Sequence, residues 1–275
     1  MPEPEIVDCH THTLFSDGVS TFDENVRAAL AVGCTTLVST DHLTLPHEMD
    51  PDCECSVAER DLAAHRAAFL DAQARLEAVD ARLEFVYGFE ADWYEGCEPY
   101  IARWRGAATF LLGSVHFIDG KSVDYDQEMD IWDEWGPDAV WQAYVDRWCR
   151  ACFCPARFDS MAHPDLVKIF SKSGYAPGIP LEPLWDRMAD AARESGVHVE
   201  LSTAGLRKPC ADFYPAAGLL RRFRAAGVPL TVGSDAHKAI DVCRDIPRAY
   251  AFAHACGYRS IDVPTADGDW RSVAL

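Results

Sequence analysis

Asp8-Cys9-His10-Thr11-His12 decides how this chain is read. It follows a short apolar run, Ile6-Val7, and precedes Ser16-Asp17-Gly18, a loop able to open a helix. Side chains alternate along a strand, so a His-x-His pair at a strand end points both imidazoles to one side. Two neutral imidazoles aimed at one point begin a divalent metal site. Taken alone, the pair is equally well two polar residues at the end of a strand. Its weight comes from the rest of the chain, which keeps placing His, Asp or Glu at the ends of strand-like runs.

Strand and helix signals alternate from end to end. Residues 5–9 read as a first strand and 21–32 as a helix, with Thr21 as N-cap, Glu24 at the capping-box position and Gly33 as the stop. Residues 35–40 give a second strand ending in Asp41-His42, and a polar loop covers 43–55. Good helix formers fill 56–79. A third strand, 83–89, ends in Glu90; a short helix is expected near 100–104; a fourth strand, 109–115, ends in His116. Residues 138–152 read as helix and 158–162 as a short strand ending in His163-Pro164. A helix over 181–195, stopped by Gly196, leads into a strand over 197–202. A helix over 213–226, closed by Gly227, precedes a strand over 229–234 that ends in Asp235-Ala236-His237. Helix 245–256 completes the seventh unit, and 260–263 could add a strand.

Two connections stand out. Residues 117–137 are long, acidic and aromatic and read as a lid-like insertion over one barrel end; 165–180 form a long loop carrying Lys168 and Lys172. Seven βα units without a break in composition predict a single barrel-like α/β domain over 1–275. In such folds the chemistry sits at the carboxyl ends of the strands.

Composition sets the bounds. The 275 residues, 49% hydrophobic and 25% charged, suit a soluble globular protein with a sizeable core. No apolar run approaches the roughly 18 residues of a membrane span, and the first residues lack a secretory signal pattern. The expectation is a cytoplasmic protein without membrane contact. A net charge of −19 argues against nucleic-acid partners. Eleven cysteines, an odd number in a chain this size, read as mostly reduced thiols. Cys53-x-Cys55 and Cys149-x-x-Cys152-x-Cys154 are alternatives for a structural zinc or redox site.

The strand ends collect His10, His12, His42, Glu90, His116, His163, Asp235 and His237, with Asp17 just past the first. Six of the ten histidines belong to this set, whereas His47, His65, His198 and His254 fall in loops, helices or a strand interior and read as structural or solvated. Each residue has an ordinary alternative as a cap or turn. Together they offer nine nitrogen and oxygen ligands and need no thiolate, which suits two or three Zn, Mn or Fe ions. Such centres generate hydroxide near neutral pH and clamp the oxygens around a reacting atom.

These motifs carry a resemblance. Asp8-Cys9-His10-Thr11-His12, Ser39-Thr40-Asp41-His42, Gly88-Phe89-Glu90, Gly113-Ser114-Val115-His116, Ala162-His163-Pro164 and Gly233-Ser234-Asp235-Ala236-His237 occur in order along the chain. The sequence resembles the PHP (polymerase and histidinol phosphatase) family of metal-dependent hydrolases. The resemblance implies a distorted (β/α)7 TIM-like barrel with a trinuclear centre at the carboxyl ends of the strands. It assigns His10, His12, Glu90 and Asp235 to a first metal. Glu90 would bridge to a second metal held by His116 and His163, and Asp17, His42 and His237 would hold a third. Some members carry His where this chain has Asp17, a harder ligand that would either shift preference toward Fe or Mn or weaken the third site.

Leu201-Ser202-Thr203-Ala204-Gly205-Leu206-Arg207-Lys208-Pro209, followed by Tyr214-Pro215, resembles the histidinol-phosphatase branch, as does Gly113 to Ile118. A guanidinium holds phosphate bidentately, so Arg207 and Lys208 are the substrate-binding candidates. Lys121, Lys168 and Lys172 are weaker ones that read as solvated. Three divalent ions against Asp17, Glu90 and Asp235 leave a local charge of about +3, which draws in an anion despite the acidic chain. The expected reaction is hydrolysis of a phosphomonoester, L-histidinol phosphate in histidine biosynthesis. A metal-bridging hydroxide would attack phosphorus in line, with Arg207 steadying the oxygens and Asp235 or His237 protonating the leaving alkoxide. Acidic residues 119, 124, 126, 128 and 130 would meet the substrate's cationic end. Alternatives are a nucleotide, sugar-phosphate or cyclic-phosphate substrate for the same centre, or an inactive accessory module.

Overall fold

Short β-branched and aliphatic runs alternate with Ala-, Leu- and Glu-rich stretches, and in the computed structural model most such pairs become a strand followed by a helix. The structure describes residues 5–46, 48–79 and 82–275. His47 therefore lies outside the described residues, as do Met1 to Pro4.

β1 (Ile6–Asp8) is followed by α1 (Phe22–Ala31) and β2 (Cys34–Ser39). Thr21 caps α1 in a reciprocal box with Glu24, as the S/T-x-x-E pattern predicts. A two-residue strand β3 (His42–Leu43) and α2 (Leu62–Ala78) precede β4 (Glu84–Asp92). After α3 (Glu98–Ala102) and β5 (Phe110–Ser114) comes a small hairpin, β6 (Phe117–Ile118) and β7 (Lys121–Ser122). Then follow α4 (Asp130–Ala151), β8 (Ser160–Met161), α5 (Glu182–Ser195) and β9 (His198–Ser202). The last units are α6 (Ala217–Ala226), β10 (Leu230–Gly233), α7 (Ile246–Ala255) and an antiparallel pair, β11 (Ser260–Pro264) and β12 (Trp270–Ala274).

The sheet runs β1-β2-β4-β5-β8-β9-β10, every neighbour parallel. It closes on itself: Cys9 N–H donates to Val232 O at 3.0 Å, and Thr11 bridges Ala236 in parallel. The fold is thus a nearly closed seven-stranded α/β barrel, a distorted (β/α)7 TIM-like barrel. Asp8 braces the seam from inside, its buried carboxylate accepting from Ser234 N at 2.7 Å, Ser234 Oγ at 2.5 Å and Cys243 N at 2.7 Å. Strands covered on both faces are rich in apolar residues, and Leu37, Val38, Val86, Leu111, Val199, Leu201 and Val232 are fully buried. Trp141, Tyr144 and Trp148, spaced at helical intervals, turn one face of α4 into the core.

Several boundaries differ from the sequence expectation, each for a local reason. Residues 117–137 hold the β6–β7 hairpin and the first turns of α4, broken at Gly136 (φ 74°) before Pro137, so helix begins ahead of the expected 138. The helix expected from 213 starts at Ala217, because Tyr214 is held in a bridge to Ser202. β4 does not stop before Glu90 but carries it, running on to Asp92. β12 escapes the sequence reading because its five residues lack a clear alternation; its Trp270 ring stacks on His198 at 3.7 Å.

Gly88 shows how tightly the strands meet. A Cβ there would stand 2.6 Å from Phe110 O and 3.1 Å from Ser39 O, both backbone atoms of the flanking strands. Gly88→Ala is expected to lower unfolding free energy by about 1–3 kcal/mol, read as a reduced denaturant midpoint with an unchanged slope; a wild-type midpoint would contradict this packing.

Candidate metal centre

All nine residues expected at the strand ends stand together at the carboxyl end of the barrel. Glu90, 1% exposed, lies between two donor groups. Its Oε2 faces His10 Nε2 at 2.9 Å, His12 Nε2 at 3.4 Å and His42 Nδ1 at 3.3 Å. Its Oε1 faces His163 Nε2 at 2.8 Å and His116 Nε2 at 3.7 Å. Asp235 Oδ1 joins the first group, 3.2 Å from His12 Nε2 and 3.6 Å from His10 Nε2. A third group is more open: Asp17 Oδ2 lies 3.0 Å from His237 Nε2, and Asp17 Oδ1 lies 3.9 Å from His42 Nε2 and 3.8 Å from His12 Nδ1. The His42 ring therefore lies between the first and third groups rather than in the third alone.

Donors about 2.1 Å from one tetrahedral ion stand about 3.4 Å apart, the spacing seen in the first group. The donor chemistry fits as well. His10 Nε2 and His12 Nε2 face each other at 3.0 Å, and His12 Nδ1, His163 Nδ1 and Asp17 Oδ1 are buried without a hydrogen-bond partner. Converging lone pairs of this kind suit divalent cations, and among the described residues three overlapping groups have the proximity to hold one.

Three ligand candidates have their ring orientation set from behind. His10 Nδ1 meets Glu200 Oε1 at 2.8 Å, His116 Nδ1 meets Asp92 Oδ1 at 2.5 Å, and His237 Nδ1 meets Asp235 O at 3.1 Å. With Nδ1 donating, Nε2 is free toward the centre. Glu200 and Asp92 were missed from sequence. The available signal was Glu200 amid the apolar residues of one strand run and Asp92 just past the end of another, since an acid is rarely buried without a partner. A further network holds the loop before Asp17: buried Asp41 accepts from Thr13 N at 2.6 Å and Ser16 Oγ at 2.6 Å, and meets His65 Nε2 at 2.9 Å. His65 Nδ1 in turn meets Tyr87 Oη at 2.7 Å, so this histidine is structural.

Burial and mutual attraction set the proton balance. Burial works against every charge here, yet His10, drawn by Glu200 and then Glu90, holds its proton well above the usual imidazole range. Glu90 and Asp235 stay ionised well below the carboxylate range against their own burial, each held chiefly by His10. Despite burial, Asp92 and then Asp124 lift His116 to about 10, and Asp17 and then Asp235 lift His237 to about 9. Burial, then His237 and His42, push His12 down to about 4.

The other candidates are placed differently. Arg207 turns its guanidinium onto backbone, Nη2 donating to Ser234 O at 2.6 Å and Asp235 O at 3.4 Å. It thereby braces Asp235, whose φ of 51° is in the left-handed region. Lys208 is exposed, and its charge acts on His237. Lys168 is not solvated: it is buried against Phe213 O at 2.5 Å, Asp212 at 3.0 Å and Asp165 at 3.1 Å. Lys121 pairs with Glu134, and Lys172 reaches only Ala211 O at 3.5 Å. All eleven cysteines are free thiols, and among the described residues none joins a group of metal-ligand proximity.

A parallel barrel with histidines and carboxylates gathered at its carboxyl end defines a class of metal-binding (β/α) domains. A sequence profile of the PHP domain matches residues 8–204, and the chain belongs to the PHP family. A Deinococcus radiodurans protein named "Probable histidinol-phosphatase" is 29% identical over 243 residues, covering 86% of this chain and 88% of its own length. Histidinol-phosphatase of Bacillus subtilis is 27% identical over 268 residues, covering 86% and 94%. The crystal structure of histidinol phosphate phosphatase from Lactococcus lactis, complexed with zinc, L-histidinol and phosphate, shares the fold with a TM-score of 0.79 at 18% identity, over 97% of this chain and 99% of that one.

A cation taking His116 and His237 must displace the protons those groups hold at neutral pH. Zinc binding at pH 7 is expected to release at least one proton per protein and to tighten as pH rises toward 9. Calorimetry in two buffers of different ionisation enthalpy checks this; identical heats would contradict it.

Proposed function

We propose that this chain is a metal-dependent phosphomonoester hydrolase whose substrate is L-histidinol phosphate. The observation that carries the reading is Glu90, a buried carboxylate whose two oxygens serve two separate donor groups. Curated relatives along 86% of the chain are named histidinol-phosphatases, which supports the substrate.

His10, His12, Glu90 and Asp235 would hold a first ion, Glu90, His116 and His163 a second, and Asp17, His42 and His237 a third. Zinc, manganese and iron all match this donor set. Divalent ions supply here a hydroxide for in-line attack on phosphorus and positive charge around its oxygens. The chain's own part is to place and polarise. Arg207, whose guanidinium rests on the Ser234 and Asp235 carbonyls, and Lys208, whose charge acts on His237, are assigned to the phosphate as positive charges beside the site. Asp235 and His237 stand 3.5 Å apart on the open side, and His237, which holds its proton while the third position is empty, is assigned proton delivery to the leaving alkoxide. Residues 117–137 rise directly from His116, with Val123 N–H donating to His116 O at 2.9 Å, and we assign this segment to the cover of the site. Within it Asp124 is half-buried, and it is the acid whose charge acts on His116. Asp119 instead pairs with Arg147, and Asp126, Glu128 and Asp130 are exposed. Asp124 is therefore assigned to the substrate's cationic end.

Phosphate release from L-histidinol phosphate, sugar phosphates, nucleotides and a diester tests this directly. The expected kcat/KM for histidinol phosphate exceeds about 10⁴ M⁻¹s⁻¹ and leads the panel. Faster turnover of another ester would keep the centre and overturn the substrate. Asp124→Asn is expected to raise KM for histidinol phosphate about tenfold, the worth of one charge-assisted contact, and to leave KM for an uncharged-tail ester such as phenyl phosphate unchanged. An equal change for both esters would contradict the assignment.

A further inference from the structure

Glu200 lies in the interior of β9 and is 1% exposed. Its two oxygens serve different parts of the centre. Oε1 meets His10 Nδ1 at 2.8 Å, and Oε2 accepts from the backbone N–H of His163 at 2.9 Å. The neighbouring strand makes room for it: at Gly233 a Cβ would stand 2.2 Å from Glu200 Oε1 and 2.5 Å from His10 Cβ. A buried carboxylate is costly unless both oxygens are partnered, and here both are. The sheet itself does not need it, because β9 and β10 pair through their backbones from Leu230–Val199 to Gly233–Ser202.

The two contacts have separate consequences. Holding Nδ1–H of His10 frees Nε2 toward Glu90 Oε2 and Asp235, the first donor group. Holding the amide of His163 seats a residue with φ of 25°, a sparsely populated conformation. That backbone delivers Nε2 to Glu90 Oε1 at 2.8 Å, in the second donor group. Asp92 is a built-in contrast. Among the ligand candidates it meets only His116, in the second group, and its other partners are Thr44 and Ser114.

We propose that Glu200 is a positioning residue that ties the first and second metal positions into one unit, so that they fill and empty together. The proposal rests on reading the cluster as a metal centre and is independent of the substrate. Gln at this position keeps the shape but offers one accepting oxygen, so either His10 or His163 loses its partner.

The test compares full-length wild type, Glu200→Gln and Asp92→Asn, each loaded with zinc and dialysed against a graded series of chelator buffers, with zinc counted by mass spectrometry. Wild type and Asp92→Asn are each expected to lose two ions at one shared chelator strength, with both ions held about 10- to 100-fold more weakly in Asp92→Asn. Glu200→Gln is expected to lose the same two ions at separate strengths, the one whose ligand has lost its partner first. Loss at one shared strength in Glu200→Gln would overturn the proposal, since Glu90 alone would then do the coupling. So would loss at separate strengths in wild type or in Asp92→Asn. Circular dichroism of the metal-stripped proteins controls for folding, with Glu200→Asp as the second variant. If neither variant folds without metal, Glu200 is a folding residue and the proposal fails. A wild type that retained no zinc in the weakest chelator buffer would overturn the metal-centre reading itself.

Discussion

The structure depends on one buried carboxylate. Glu90 meets five imidazoles, those of His10, His12, His42, His116 and His163, from inside the buried strand β4. An ionised group in that position is tolerable only if charge and hydrogen bonds converge on it. The barrel arranges this by bringing β1, β5 and β8, with the short β3 beside β4, to a common carboxyl end. The five imidazoles arrive from four segments, His10 and His12 sharing one, so the site exists only when the barrel closes.

Closure and site therefore share their supports. Asp8 ties β1 to the end of β10, and the same turn carries Asp235 in its left-handed conformation, with Arg207 on its carbonyl. Asp41 sits beside His42 in sequence and clamps Thr13 and Ser16, the loop that presents Asp17. Glu200 and Asp92 stand behind His10 and His116. The centre is thus surrounded by a layer of buried acids that point outward ligands inward, at the expense of an apolar core at this end of the barrel. Among the described residues no helix is long and apolar enough to cross a membrane, and the apolar residues go into the barrel and its helical coat.

Much of this was legible in the sequence. The strand runs announced themselves as apolar segments bounded by helix stops, and the donors stood out because eight of the nine end such a run and Asp17 stands just past the first. The Thr21 capping box was legible because its partners lie three residues apart. What escaped depends on distant partners. Glu200 reads as one more residue of a strand until His10, 190 positions away, supplies its purpose. Lys168 reads as a solvated cation because nothing nearby in sequence shows that Asp212 and Phe213 O will bury it. Glu90 falls inside β4 rather than at its end because pairing with β5 runs on to Asp92 and the two-residue β3 pairs alongside it. The helix boundary at Ala217 was set by a long-range bridge between Tyr214 and Ser202, which no local propensity encodes.

The central claim is that the converging donors around Glu90 hold divalent ions, and X-ray anomalous scattering from crystals of the protein purified with its native metals tests it most directly. Data collected at the zinc, iron and manganese edges are expected to show strong peaks on both sides of Glu90, one among His10, His12 and Asp235 and one beside His116 and His163. A crystal with no anomalous peak there, or with its metal on the cysteines instead, would contradict the claim.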